Sequence, residues 1–399
     1  MSNGIQMPLF GFDSTVVPDI DFCVKDASVV ESDVISKYEN MFFLITRIAK
    51  TLGRGDPVRL FLLSIIYQLV VQRSIVDSTG KENLLKYSHG ANLDNLGAKW
   101  GLRGGRLKAT SAATTLRFSL SSLLTSESTI PLGTLAQSGD GRRFATTSEG
   151  TIPPGGTSID LPAVAVDAGE LANGLVAGQI NQLVSWNSPF LVQVTNTVTS
   201  SGGSDEETDD HLRARIWMAP ESFSVAGPYG AYEYWAASAN PNIIDVSVWS
   251  DPPNAGKVFI HPLMEGGRLP TQAELDQVYA ICNADNIRPL TDQVLVSAPV
   301  VVPYDCIVKY WIKEADKIFS ADIQTKCDAA YADYLIWQRT KIGRDINPSK
   351  LDQMLVEAGA KRTDISEATC PFEFQVLDEK SVAQESGTSQ LLYEGLEDE

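Results

Sequence analysis

Histidine is nearly missing from this chain. Three occur in 399 residues, at His89, His211 and His261, too few to build a pH switch on a histidine cluster. Cysteine is also sparse. Cys23, Cys282, Cys306, Cys327 and Cys370 are odd in number and never fall in C-x-x-C spacing. That excludes a disulfide framework or a zinc site and fits small buried thiols in a reducing compartment. Lysine is absent from residue 109 to residue 256. With 32 basic and 50 acidic side chains the chain carries −18, and residues 201–399 hold 16 of the basic and 33 of the acidic groups. A phosphate backbone would be repelled there, so nucleic-acid binding is disfavoured. No basic, apolar leader opens the sequence. The most apolar window, Leu60–Val71 (LFLLSIIYQLVV), is shorter than the ~20 residues a membrane span needs and is flanked by Arg59 and Arg73. It reads as a core or interface helix, and no membrane insertion is expected.

At 399 residues the chain is too long for one core, so two to four domains are expected. Residues 1–108 read as helical. Asp56 followed by Pro57 supplies an N-cap and a proline at the first helical position, where its missing N–H costs nothing. Phe61, Ile65 and Leu69 then recur near helical spacing, with Val76 further on. Gly80 is expected to end that helix, and Gly90 to close the next segment, KENLLKYSHG. Leu93, Leu96 and Trp100 share one face of a third segment.

After Lys108 the composition changes. Residues 111–200 hold 24 serines and threonines, with dense turn chemistry in IPLGT, SGDGRRF, TIPPGGT and DAGELANG. Alternation in LRFSL and LVQV, and Asp140-Gly141 placed as a hairpin turn, predict a β domain over 109–203, a small sandwich or barrel. From 204 onward helix and strand patterns mix. Thr271-x-x-Glu274 is a capping box opening TQAELDQVYAICNA. Strands are expected in IIDVSVWS, KVFIHPLM, DQVLVSAP and YDCIVKYWI, and helices over 321–338 and from Asn347-Pro348 to Glu357. These form one α+β module over 204–300 and a second over 301–384. Residues 385–399 read as an acidic tail, disordered in part.

The stretch SGGSDEETDDHLRARI packs Asp205, Glu206, Glu207, Asp209 and Asp210 beside two glycines and a histidine. A calcium loop needs alternate oxygen ligands, a central glycine and a distal glutamate, and these are missing. Ser204-x-x-Glu207 fits a helix capping box instead, with the acidic residues favoured by the helix dipole. No G-x-S-x-G or H-E-x-x-H is present. Gly53-Arg54-Gly55 lacks the rest of a dinucleotide fingerprint, Ser78–Lys81 fits S-x-x-K by letter only, and His261 before Pro262 reads as structural. No catalytic, cofactor-binding or metal-ligating residues are assigned, and no cofactor is expected.

Five ordered segments resemble a known family. RLFLLSIIYQLVVQRSIVDSTGKENLLKYSHGANLDNLGAKWGL, IPLGTLAQSGDGRRFATTSEG, DAGELANGLVAGQINQL followed by VTNTVTSSGGSDEETDDHLRARI, GGRLPTQAELDQVYAICNADNIRPLTDQVLVSAPV, and KIGRDINPSKLDQMLVEAGA are similar, in that order, to segments of the J-like baseplate wedge proteins. These belong to contractile-tailed phages and related contractile injection systems. RPLTDQV departs by a threonine where that family usually has glycine, and the last ~25 residues match none of its segments.

The resemblance implies a multidomain α+β fold: an N-terminal helical unit, a central β domain and C-terminal mixed α+β modules. It implies a structural, non-enzymatic baseplate component of a virion tail, or of an equivalent contractile particle, assembled in the host cytoplasm. Implied partners are a second wedge protein, another copy of this chain, a sheath-initiator-like protein, the central hub and spike, and fibre-attachment proteins. It also implies rearrangement during sheath contraction. On this reading Phe61, Leu62, Ile65, Leu69 and Val76 face a helix of another chain; packing within their own domain is the alternative. Gly104-Gly105 and Gly202-Gly203, at composition boundaries, are hinge candidates, with plain linker or turn chemistry as the alternative. The competing function is a tail-associated carbohydrate-binding or glycan-hydrolysing protein. It would need exposed aromatics beside carboxylates, and residues 111–200 offer only Phe118, Phe144, Trp186 and Phe190.

Overall fold

A computed structural model describes residues 10, 12, 14–184, 191–224, 227–251, 256–365 and 372–398. It divides into two compact units, Phe12–Gly105 and a larger one formed by Arg106–Glu399 with Met1–Gly11.

The smaller unit holds helices α1 (Ala27–Thr46), α2 (Pro57–Lys81) and α3 (Gly90–Gly97). Asp26 and Asp56 cap the first two, the Asp56 carboxylate accepting from Val58 N at 2.8 Å with Pro57 at the first position. Gly80 does not end α2. A Cβ there would lie 2.7 Å from the Phe22 ring, so glycine serves close packing and the helix runs on to Lys81. Its last turn is tied down by Asp77, buried between Lys25 (2.5 Å) and Lys81 (3.0 Å) and accepting from Phe22 N at 2.8 Å. Lys25 beside it holds the Asp77 carboxyl well below the usual range. Gly90 likewise does not close a helix; with φ +49° it opens α3.

In the larger unit, β1 (Ala113–Leu120), β3 (Leu135–Ser138), β4 (Arg143–Thr146), β6 (Ser158–Ala165), β7 (Ile180–Leu183) and β8 (Leu191–Asn196) form one sheet in the order β7-β3-β4-β6-β1-β8. The short strands β2 (Ser128–Ile130) and β5 (Gly150–Ile152) pair separately. Alternate residues point inward, including Leu116, Phe118, Ala136, Phe144, Leu161 and Val194. Asp140-Gly141 makes the expected turn between β3 and β4, Gly141 taking φ +88°.

The sheet curls until its two end strands meet, and Asn196 joins them. This buried side chain accepts from Ile180 N at 3.0 Å and donates to the carbonyls of Leu175, Val176 and Val198 at 3.0–3.1 Å, while the Asn196 backbone carbonyl accepts from Gly178 N. Asn196→Ala would leave several buried backbone groups unpaired. At roughly 1–3 kcal/mol for such a loss, we expect the barrel to lose about 3 kcal/mol of stability, measurable by urea denaturation.

The chain continues through α4 (Asp209–Met218) and α5 (Tyr229–Ala237) to β9 (Ile243–Trp249), β10 (Lys257–Met264), α6 (Gln272–Cys282) and β11 (Gln293–Val296). These strands form a sheet ordered β11-β10-β9, antiparallel between β9 and β10 and parallel between β10 and β11. Tyr232, Ile243, Val258, Ile260, Val278 and Val294 pack the core between sheet and helices. The Thr271 capping box is present: Thr271 Oγ1 accepts from Glu274 N, and the Glu274 carboxylate accepts from Thr271 N at 2.7 Å.

The last elements are β12 (Val300–Tyr304), β13 (Ile307–Lys313), α7 (Ser320–Arg339), α8 (Pro348–Ala358), β14 (Arg362–Asp364), β15 (Ser381–Glu385) and β16 (Gln390–Glu397). β15 runs parallel to β12, and β16 runs parallel to β13, which also pairs with β14. The expected acidic tail is therefore corrected. Leu391 and Leu396 pack on the α7/α8 core, and Arg362 pairs with both carboxylate oxygens of Glu397 at 2.9 and 3.1 Å. Local composition showed the charge but not the cations that β14 brings to meet it.

Candidate functional surfaces and the Glu207 junction

The strands entering and leaving the barrel lie side by side. Leu107 pairs with Glu207, Thr110 with Ser204 and Ala113 with Ser201, each through reciprocal backbone hydrogen bonds or, at Leu107, through both the backbone and the carboxylate of Glu207. Ser204 is therefore a ladder residue, its hydroxyl 2.8 Å from that of Thr110, and the expected Ser204–Glu207 capping box is not formed. Helix α4 begins at Asp209 with Thr208 as its cap, accepting from His211 N. The ladder claims the backbone of 204 and 207, so the helix starts later.

Glu207 has a different task. Its carboxylate, without side-chain exposure, accepts from Leu107 N at 2.8 Å, from Arg215 Nε at 2.6 Å and from Arg215 Nη2 at 2.7 Å, with His211 Nδ1 at 2.5 Å. Arg106 adds a bond to the Glu207 carbonyl at 2.6 Å and an ion pair to Asp209 at 2.7 Å. On its far side His211 Nε2 lies 2.8 Å from the carbonyl of Ile243, at the start of β9, and the Phe10 ring meets His211 edge-on at 5.4 Å. Burial pushes the Glu207 pKa up, but the hydrogen bonds and charges of Arg215 and His211 overcome it and bring the group down to about 2. One carboxylate thus joins the incoming strand, the outgoing strand, α4 and, through His211, the central sheet. Beside it, Asp209 binds Arg106 and Arg213 binds Asp210.

The glycines proposed as hinges are held tightly. A Cβ on Gly203 would lie 2.4 Å from the carbonyl oxygen of Gly169, and Gly203 exchanges hydrogen bonds with the Asn173 side chain at 2.7 and 2.9 Å. Gly202 takes φ +87°. These two residues are glycine for turn and packing reasons. Gly203→Ala forces a backbone clash, and we expect it to cost ~1–3 kcal/mol by thermal or urea unfolding. Gly104 is also pressed on backbone, a Cβ there falling 2.0 Å from the carbonyl oxygen of Gly97, and Gly105 is extended at the boundary of the two units.

In the smaller unit, α2 exposes most of its apolar side chains. Phe61 is 65% exposed, Val76 56%, Ile65 41% and Leu69 38%, while Leu62 is half-buried; Ile66 and Asp77 are its only buried residues. Helix α1 exposes Met41, Phe43, Leu44 and Ile45. By length and composition α2 could also cross a membrane.

His261 is buried, its Nδ1 3.0 Å from the Ser297 carbonyl, and burial pushes its pKa down. Lys81 of the S-x-x-K stretch is ion-paired to Asp77 and Asp21. Phe118 and Phe144 lie wholly inside the barrel; Trp186, Phe190 and Cys370 fall outside the described residues. Among the described residues no group of His, Cys, Asp and Glu could hold a metal. A cleft beside the barrel, lined by Asn173, Ser201, Asn242, Arg268 and Glu274, contains the bidentate Arg268–Glu274 pair at 2.7 and 3.0 Å. Sequence reading missed Arg106, Leu107 and Asn196, since their partners lie 16 to 101 residues away.

A curled, barrel-like sheet followed by a small α+β sheet domain and a second α+β module, with an apolar helical unit, defines a multidomain scaffold. Residues 115–203 match the Baseplate J-like protein barrel domain, and residues 224–298 the Baseplate J-like central domain. Baseplate protein J of Escherichia phage P2 is 29% identical over 163 residues, 40% of this chain and 52% of that protein, so the match spans about half the length of the relative. A chain in the cryo-EM structure of the anti-feeding prophage (AFP) baseplate aligns with 89% of this chain and 90% of its own length, at TM-score 0.41 and 12% identity. The two domain matches and the phage relative make residues 115–203 and 224–298 similar to the barrel and central domains of J-like baseplate proteins.

Proposed function

We propose that this protein is a wedge component of a contractile-tail baseplate. It joins a second wedge protein and a further copy of itself around the central hub and spike, contacts a sheath-initiator-like protein, carries fibre-attachment proteins at its periphery, and shifts shape when the sheath contracts. It acts by mechanical assembly and not as an enzyme.

The observation that carries this reading is the exposed face of α2. Phe61, Ile65, Leu69 and Val76 stand open to solvent on a unit whose 11 basic and 11 acidic side chains cancel. An apolar surface of this kind on a neutral unit marks a contact with another protein. A bilayer suits it less well. The longest uncharged run of α2 is residues 60–72, between Arg59 and Arg73, and at 1.5 Å per residue it reaches ~20 Å against a ~30 Å hydrocarbon core. The −18 net charge lies wholly on residues 106–399, consistent with a body that stays clear of nucleic acid.

The test is to recover a tagged copy from producing cells and identify co-purifying chains by mass. A stable complex with a second wedge protein and a sheath-initiator-like protein supports the proposal. A monodisperse monomer without tail components overturns it, and glycan binding or hydrolysis would then be assayed.

A further inference from the structure

We infer that the barrel and the central sheet domain are locked into one rigid body by the Glu207 junction, so that the glycine pair at 202–203 is not a joint. The lock has three parts. The strands entering and leaving the barrel are bonded to each other at Leu107–Glu207, Thr110–Ser204 and Ala113–Ser201. Bending about 202–203 would break the bonds that cross it, namely Asn173 to Gly203 at 2.7 and 2.9 Å, Gly169 N to the Thr110 carbonyl at 2.9 Å and Glu170 N to Asp205 at 3.1 Å. Gly203 is confined by Gly169, Ala112 and Asn173, so the residue that could bend freely by sequence has no room to do so. The Glu207 carboxylate then fixes the end of this ladder to Arg215 of α4, and His211 carries the connection to Ile243. Opening it would strand a buried carboxylate and a guanidinium 2% exposed, a far larger penalty than parting an exposed ion pair.

The lock belongs to the chain alone and does not depend on the baseplate proposal. Hydrogen exchange on the full-length protein tests it. The amides of Leu107, Thr110, Ala113 and Ser204 are expected to exchange as slowly as core amides of β1 and β10, opening only when the body unfolds. In Glu207→Gln the Leu107 and Glu207 amides are expected to exchange about 100-fold faster or more. Ladder amides that already exchange about 100-fold faster than the core in the unaltered protein would overturn the inference, whether or not the variant folds.

A second test is made in the particle. Thr110→Cys with Ser204→Cys places two sulfurs where the hydroxyls are 2.8 Å apart, so oxidation staples the ladder. Stapled particles are expected to assemble and trigger as the reduced ones do. Loss of triggering on oxidation, restored by a reductant, would show that this joint moves and refute the assignment. If the reduced variant enters no particle while the unaltered chain does, the staple has damaged the fold and the exchange result decides. If the unaltered chain enters none either, the baseplate proposal fails and exchange again decides the lock.

Discussion

Glu207→Ala is expected to lower the unfolding free energy of the larger unit by about 3–5 kcal/mol, the range for breaking a buried ion pair from one side. The substitution leaves Arg215, His211 and Leu107 N without the acceptor they share. Equilibrium urea unfolding reads the change as a lower midpoint. The same group sets an acid limit. Its folded pKa, about 2, lies below its ordinary value of 4.5, so the stabilisation is complete above about pH 4.5 and disappears as pH falls through about 2. The difference corresponds to roughly 3 kcal/mol. A plot of stability against pH between 5 and 2 is therefore expected to fall more steeply for the unaltered protein than for Glu207→Ala. Parallel slopes would show that Glu207 is not held ionised by its partners.

The second large effect is expected on assembly and not on folding. Phe61→Asp combined with Ile65→Asp places two charges on the exposed face of α2. These side chains contribute little to their own unit's core, so circular dichroism and the unfolding midpoint are expected to change little. A helix interface with another chain, however, would have to bury both carboxylates. Central apolar residues in such interfaces contribute ~2 kcal/mol or more each, so the pair is expected to weaken co-assembly by about 1000-fold, seen as loss of partner chains in the pull-down. A doubly substituted chain that still recovers its partners would move the contact off α2. One that aggregates or unfolds would return these residues to their own domain's core.

Three readings of local cap and turn chemistry match the structure. The Asp56-Pro57 start of α2, the Asp140-Gly141 turn and the Thr271 capping box each depend on residues within three positions of one another. The readings that failed depended on distant partners. Gly80 looked like a stop, yet it faces Phe22, 58 residues earlier in the chain. The acidic C-terminal residues looked unpaired until Arg362 and the parallel pairing of β16 with β13 supplied neighbours. Of the Glu207 junction the sequence singled out Glu207 but concealed what it builds, because Arg106 and Leu107 reach it from about 100 residues away.

The sequence alone determined the order of helical, β and mixed regions, the acidity of the body and the family likeness, since composition and short-range pattern suffice for those. Only the tertiary structure decided that the barrel closes on Asn196, that Ser204 belongs to a ladder and not a cap, and that the flexible-looking Gly202-Gly203 is confined. The physical reason is common to all three: an unpaired buried donor, acceptor or charge is costly, and which group satisfies it is fixed by residues that only folding brings together.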